Sequence, residues 1–147
     1  LQALLVRRNA VADDLRRELN RQEKSEAIET PALIVQSIAQ SIAFLEAELK
    51  RLQQAIDDHI DRHPGLKRDM TLLTSIPAVG ERVGNNLLAI MHGNRFESAE
   101  QVAAYLGLVP IERQSGSTVL GRARLSKTGP ARVRAVLYMA AVVATQY

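Results

Sequence analysis

The sequence predicts an all-α protein in two parts: a long antiparallel or dimerising coiled coil over residues 1–65, and a small helical domain over residues 66–147. Three observations carry that expectation. Apolar residues recur at helical spacing through two long stretches of the first half. The second half holds shorter helical runs punctuated by Gly and Pro. The composition is globular, with 46% hydrophobic and 24% charged residues among 147.

Leu1, Leu4, Leu5, Ala12, Leu15 and Leu19 form the apolar stripe of a first helix, with an Arg- and Glu-rich face opposite. Thr30-Pro31 marks a second start, with Thr30 as cap and Pro31 at the first helical position, where a missing N–H costs nothing. Ile34, Ile38, Ile42, Leu45, Leu49, Leu52, Ile56 and Ile60 follow at steps of three or four, the repeat that packs helices side by side. His63-Pro64-Gly65 is expected to end this helix. A rod over residues 31–62 would be roughly 48 Å long and cannot bury its stripe alone. It must pair with residues 1–27, with another chain, or with both.

In the second half, a helix from Leu66 to Ser75 is expected to turn Met70, Leu72, Leu73 and Ile76 inward. Pro77-Ala78-Val79-Gly80 is a tight connection to a helix from Glu81 to Met91 that buries Val83, Leu87, Leu88 and Met91. Ser98-Ala99-Glu100-Gln101 fits a capping box, and the helix it opens stops at Gly107. Residues 108–127 lack a helical period and read as an irregular basic loop or loose hairpin. After Thr128-Gly129-Pro130 a last helix carries Val133, Val136, Leu137 and Ala140 on one face. The chain opens without Met or cap and closes inside an apolar helix, so it is expected to be a piece of a longer protein.

Composition excludes several chemistries. With no Cys there is no disulfide framework, Cys-based zinc site or thiol nucleophile. Two Phe, three Tyr and no Trp argue against an RNA surface built on base stacking. The longest apolar runs, such as Ala140-Ala141-Val142-Val143-Ala144, fall short of the ~20 residues of a membrane span. No export signal opens the chain. A cytoplasmic protein without a membrane partner is the expectation.

The net charge of +3 is unevenly distributed. Residues 1–66 hold 9 basic and 11 acidic side chains, whereas residues 67–147 hold 10 and 5. Arg113, Arg122, Arg124, Lys127, Arg132 and Arg134 fall within 22 residues that contain no acid. Such a field attracts polyanions, nucleic acid first, although a solvated basic face is the plainer alternative.

Two constellations carry chemistry. Leu73-x-x-Ile76-Pro77-Ala78-Val79-Gly80-x-x-Val83-Gly84 resembles a helix-hairpin-helix, whose turn offers backbone N–H groups, here those of Val79 and Gly80, to a DNA phosphate. Ala78 replaces the usual first Gly, and Glu81 disfavours an anion; a plain helical turn would look the same. In the second, Ser115 stands between Gln114 and Gly116 amid the basic residues. A Ser hydroxyl reacts only when a base takes its proton or cations stabilise its alkoxide, and phosphoryl transfer needs positive groups around the phosphorus. A Ser beside Gly equally serves as an ordinary turn residue.

The order of motifs resembles the transposases of the insertion sequence 110 and 1111 group, which includes pilin-gene invertases. The resemblance rests on the hairpin, on FxSAxQVAAYLGLVP from Phe96 to Pro110, on QSG at 114–116 and on GRxRLSKxGPxRVRxxLYMAA from Gly121 to Ala141. It implies that Ser115 is the nucleophile attacking a DNA phosphodiester. It also implies that Arg113, Arg122, Arg124, Lys127, Arg132 and Arg134 are phosphate contacts or transition-state stabilisers. DNA is the implied partner, with guide RNA a further one used by some members and homo-oligomers assembled through the coiled coil. Mg2+ is expected in a RuvC-like domain that would precede residue 1, leaving no cofactor here and the fragment alone inactive. The alternative is a non-catalytic DNA-binding and dimerisation module.

His59 and His63 beside Asp57, Asp58 and Asp61 lack a further ligand at metal spacing and read as solvated helix-end residues. Tyr138 has no His-x-x-Arg element before it and reads as a core helix residue.

Overall fold

The computed structural model describes residues 1–111 and 123–146, together with the backbone of 114–115 and 119–120. Its elements are α1 (Gln2–Glu26), α2 (Ala32–Asp61), α3 (Pro64–Thr74), α4 (Glu81–Gly93), α5 (Ala99–Tyr105), β1 (Pro110–Ile111), β2 (Gln114–Ser115), β3 (Val119–Leu120), β4 (Arg124–Leu125) and α6 (Ala131–Ala144). They fall into two units, Leu1–Lys67 and Arg68–Tyr147.

In the first unit α2 finds its partner in α1 of the same chain. Arg7 acts on Glu48, while Arg17 and Arg21 share a groove with Ser41 and Phe44, so the two helices run antiparallel. The seam buries Leu5 and Val11 of α1 with Ile42, Leu52, Ile56 and Ile60 of α2. Ile56 retains no exposed surface, and full burial of such a side chain contributes about 1.5–3 kcal/mol. The outer faces carry ion pairs one turn apart, such as Arg51 donating two 2.7 Å hydrogen bonds to Glu48. The seam fails toward the connecting loop, where Leu33 and Ile34 remain exposed. There α1 offers Arg21, Glu23 and Lys24 rather than apolar partners.

Two boundaries differ from expectation. Pro31 is the N-cap of α2, its carbonyl accepting from Ile34 N and Val35 N, while Thr30 Oγ1 donates back to the carbonyls of Ser25 and Ile28. Pro64 opens α3 instead of closing α2, and Gly65 lies within α3, because a helix tolerates Pro in its first turn. By length and composition α2 is also apolar enough to cross a membrane, with a mean hydropathy of 1.3 over its most apolar 18 residues. Uninterrupted runs concealed this, because Gln36, Ser37, Gln40 and Ser41 break them.

In the second unit the core lies along α4, which buries Val83, Leu88 and Ala89 and packs against α6, where Val133 is buried. Leu72, Ile76 and Met91, expected inside, are exposed. Leu66, Met70 and Leu73 are the half-buried stripe of α3, and Leu72 and Ile76 fall on another face. Tyr138 is likewise 68% exposed. Val133, Val136, Leu137 and Ala140, expected on one face of α6, are buried or half-buried there, and Tyr138 falls on another face. Ser98 caps α5 by accepting from Gln101 N, and Gln101 Oε1 accepts in return from Glu97 N. α5 ends in paired bonds from Gly107 N to Ala104 O and from Leu108 N to Ala103 O, with Gly107 at φ +68°.

Candidate nucleic-acid interface

The α3–α4 connection is set by backbone geometry. Ala78 adopts φ +66°, Val79 N donates to Ile76 O at 3.0 Å, and Gly80 caps α4 with its carbonyl accepting from Gly84 N at 2.9 Å. The helices approach closely at Gly84, where a Cβ would lie 2.8 Å from Met70 Sδ. Gly80 is exposed and Val79 half-buried. Glu81 sits exposed in the first turn of α4, so a carboxylate stands beside the N–H groups that a phosphate would use. Across the same two helices His92 Nε2 meets Asp69 Oδ2 at 2.9 Å. That bond and Arg68 hold the Asp69 carboxyl below its ordinary value of 3.8.

Two short antiparallel ladders stand where the sequence predicts an irregular loop or a loose hairpin, and they form the ribbon that follows α5. β1 pairs with β4, Pro110 opposite Leu125 and Ile111 opposite Arg124. β2 pairs with β3, Gln114 opposite Leu120 and Ser115 opposite Val119. The register differs by one residue between the two ladders. Ser115, paired with Val119, therefore lies in the second ladder. Its side chain, with Arg113 and Arg122, lies outside the described residues.

The remaining basic residues separate into two kinds. Arg124 on β4, Lys127 and Arg132 in the first turn of α6 are exposed. Arg134 is half-buried, and its Nη1 donates to the carbonyls of Leu106, Thr128 and Gly129 at 3.3, 2.7 and 3.0 Å. The position expected to contact phosphate thus engages its own backbone. Among the described residues no group of three or more His, Asp or Glu is arranged to hold a metal ion. The His59 and His63 rings instead lie 4.5 Å apart, and His63 Nδ1 donates to the His59 carbonyl at 2.6 Å. Burial, reinforced by nearby positive charge, pushes the His59 imidazole below its ordinary 6.5.

Residues 70–147, more than half of the chain, match the family described as Transposase IS116/IS110/IS902. The chain belongs to this transposase family. It is 31% identical over 145 residues to the pilin gene-inverting protein of Moraxella bovis, covering 97% of this chain and 43% of that protein. The corresponding protein of Moraxella lacunata is 30% identical over the same length. An uncharacterized 43.6 kDa insertion element IS110 protein of Streptomyces coelicolor is 31% identical over 90 residues, 60% of this chain and 21% of that one. The chain therefore spans less than half the length of these relatives.

Within this transposase segment the hairpin, the ribbon and α6 all lie in the matched residues. Sequence reasoning missed two features. The Asp69–His92 pair joins residues 23 apart, beyond any local pattern. Asn85, 4% exposed with its Oδ1 unpartnered, sits on the buried face of α4 where the flanking apolar spacing conceals it.

Proposed function

We propose that this chain is part of a DNA transposase or site-specific recombinase that breaks and rejoins strands through Ser115. The support is a coincidence within one family-matched segment: a serine in the second ladder, and exposed Arg124, Lys127 and Arg132 along the chain that follows. In this reading a base takes the Ser115 proton, Oγ attacks phosphorus, and a Ser–O–P bond forms as one P–O bond to deoxyribose breaks. The departing oxygen takes up a proton. Attack by a hydroxyl of the exchanging strand releases Ser115 and completes the join. Arg124, Lys127 and Arg132, with Arg113 and Arg122, neutralise the phosphate oxygens, and the N–H of Gly80 meets a neighbouring phosphate, that of Val79 being taken by the Ile76 carbonyl. Mg2+ belongs to a RuvC-like domain outside these residues. DNA is the substrate; guide RNA and a second copy of the chain, joined through the α1–α2 unit, are the further partners.

Strand exchange by the full-length protein carrying Ser115→Ala tests the reading. Loss of at least about a thousandfold with unchanged DNA affinity is expected for a nucleophile. Undiminished exchange would leave a non-catalytic DNA-binding and dimerisation module. For such a module the response to salt, and to neutralising Arg122 and Arg124, becomes the only expected signature.

A further inference from the structure

A helix N-terminus is an unfavourable place for two arginines, since the helix dipole repels cations there. Yet Arg132 and Arg134 both fall near the start of α6. For Arg134 the structure supplies a reason. The Leu106 carbonyl comes from the C-cap of α5, and those of Thr128 and Gly129 immediately precede α6. One nitrogen with two hydrogens thus serves three acceptors gathered from the two ends of the ribbon segment. Leu106 is buried, so its helix-end carbonyl has little access to water and needs a donor from the protein.

The two chain segments cross almost in contact at this point. A Cβ on Gly107 would fall 2.1 Å from Thr128 O, and one on Gly129 would fall 1.9 Å from Tyr105 O. Immediately beyond, Lys127 N donates to Gly107 O at 3.1 Å and Ser126 N to Val109 O at 3.0 Å, beginning the pairing that continues through β1 and β4. A guanidinium, always charged and with several donors fixed in a plane, is well suited to such a cluster of carbonyls.

We infer that Arg134 is a positioning residue that clasps the base of the ribbon and so sets the strand carrying Ser115, rather than a contact to DNA. The inference rests on the reading of Ser115 as nucleophile. It is tested in the full-length protein with Arg134→Met, which keeps much of the stem and removes the donors, and with Arg134→Lys, which restores a cation with three donors. Strand exchange should fall about tenfold to a hundredfold in Arg134→Met, because a displaced nucleophile loses its alignment. DNA affinity should stay within about twofold, because no phosphate loses a partner. Arg134→Lys should recover part of the rate. Amide hydrogen exchange at Ser126 and Lys127 should quicken about tenfold in Arg134→Met as the base opens.

Affinity that drops together with the rate, accompanied by a shallower salt dependence, would make Arg134 a phosphate contact and overturn the inference. Unchanged amide exchange at the ribbon base would overturn it as well, and that measurement involves no reaction. If Arg134→Met does not fold, the same amides in Arg134→Lys decide between clasp and surface cation. Ser115→Ala assayed in parallel separates failure of the nucleophile from failure of the clasp, since it should leave amide exchange at Ser126 and Lys127 untouched.

Discussion

Ala78 shows how much one backbone angle decides. At φ +66° a Cβ meets the following carbonyl, which costs roughly 1–2 kcal/mol for a residue other than Gly. Ala78→Gly relieves that strain while loosening the unfolded chain. The net expectation is a gain of about 0.5–1 kcal/mol, read as a raised denaturant midpoint at constant slope. The substitution also removes the methyl group that precedes the Gly80 amide by two residues, so a tighter phosphate contact should accompany the stability gain if the turn meets DNA. Motif reading located this residue as a departure from the usual glycine, but only the dihedral angle shows that the turn keeps the glycine conformation regardless. Arg134 is the opposite case. Its charge and position marked it for phosphate, but it is held by two carbonyls just before its own helix and by that of Leu106, 28 residues away.

At the scale of elements, the ribbon depends on the two glycines at its base. Gly129→Ala would drive a Cβ to 1.9 Å from the Tyr105 carbonyl at φ +80°. A destabilisation of about 2–4 kcal/mol is expected from thermal melts of this chain. Gly65 offers the contrast, since nothing lies within 4 Å of a Cβ placed there. The helices were legible wherever one stripe had one period. α4 and the α2 seam met that condition, with Val83, Leu88, Ile42, Leu52, Ile56 and Ile60 read correctly as apolar core positions. The first turns of α2 did not. There apolar residues occupy every face, and burial is set by whether another element lies opposite.

For the whole molecule, acid should act on the two units in different ranges. His59 is held below 6.5 in the first unit by burial, so the unfolded chain binds the extra proton. Its contribution is complete above pH 6.5 and is lost as pH falls toward the folded value. In the second unit Asp69 is held below 3.8, so the stability from its His92 bond persists until the pH falls below that value. Melting curves across pH should therefore show an early loss that His59→Gln abolishes and a later one that Asp69→Asn abolishes. A single acid transition, insensitive to His59→Gln, would refute the separation. What the sequence determined by itself was local: two long helices, the capping box at Ser98, the stop at Gly107, the basic segment and the motif order of a transposase. These follow from side-chain periodicity and backbone preference, which act over a few residues. The tertiary structure alone decided that α2 pairs with α1, that β1 pairs with β4 and β2 with β3, and that Arg134 reaches the carbonyl of Leu106. Most of these join residues far apart along the chain, and such pairing is governed by which surfaces meet in space.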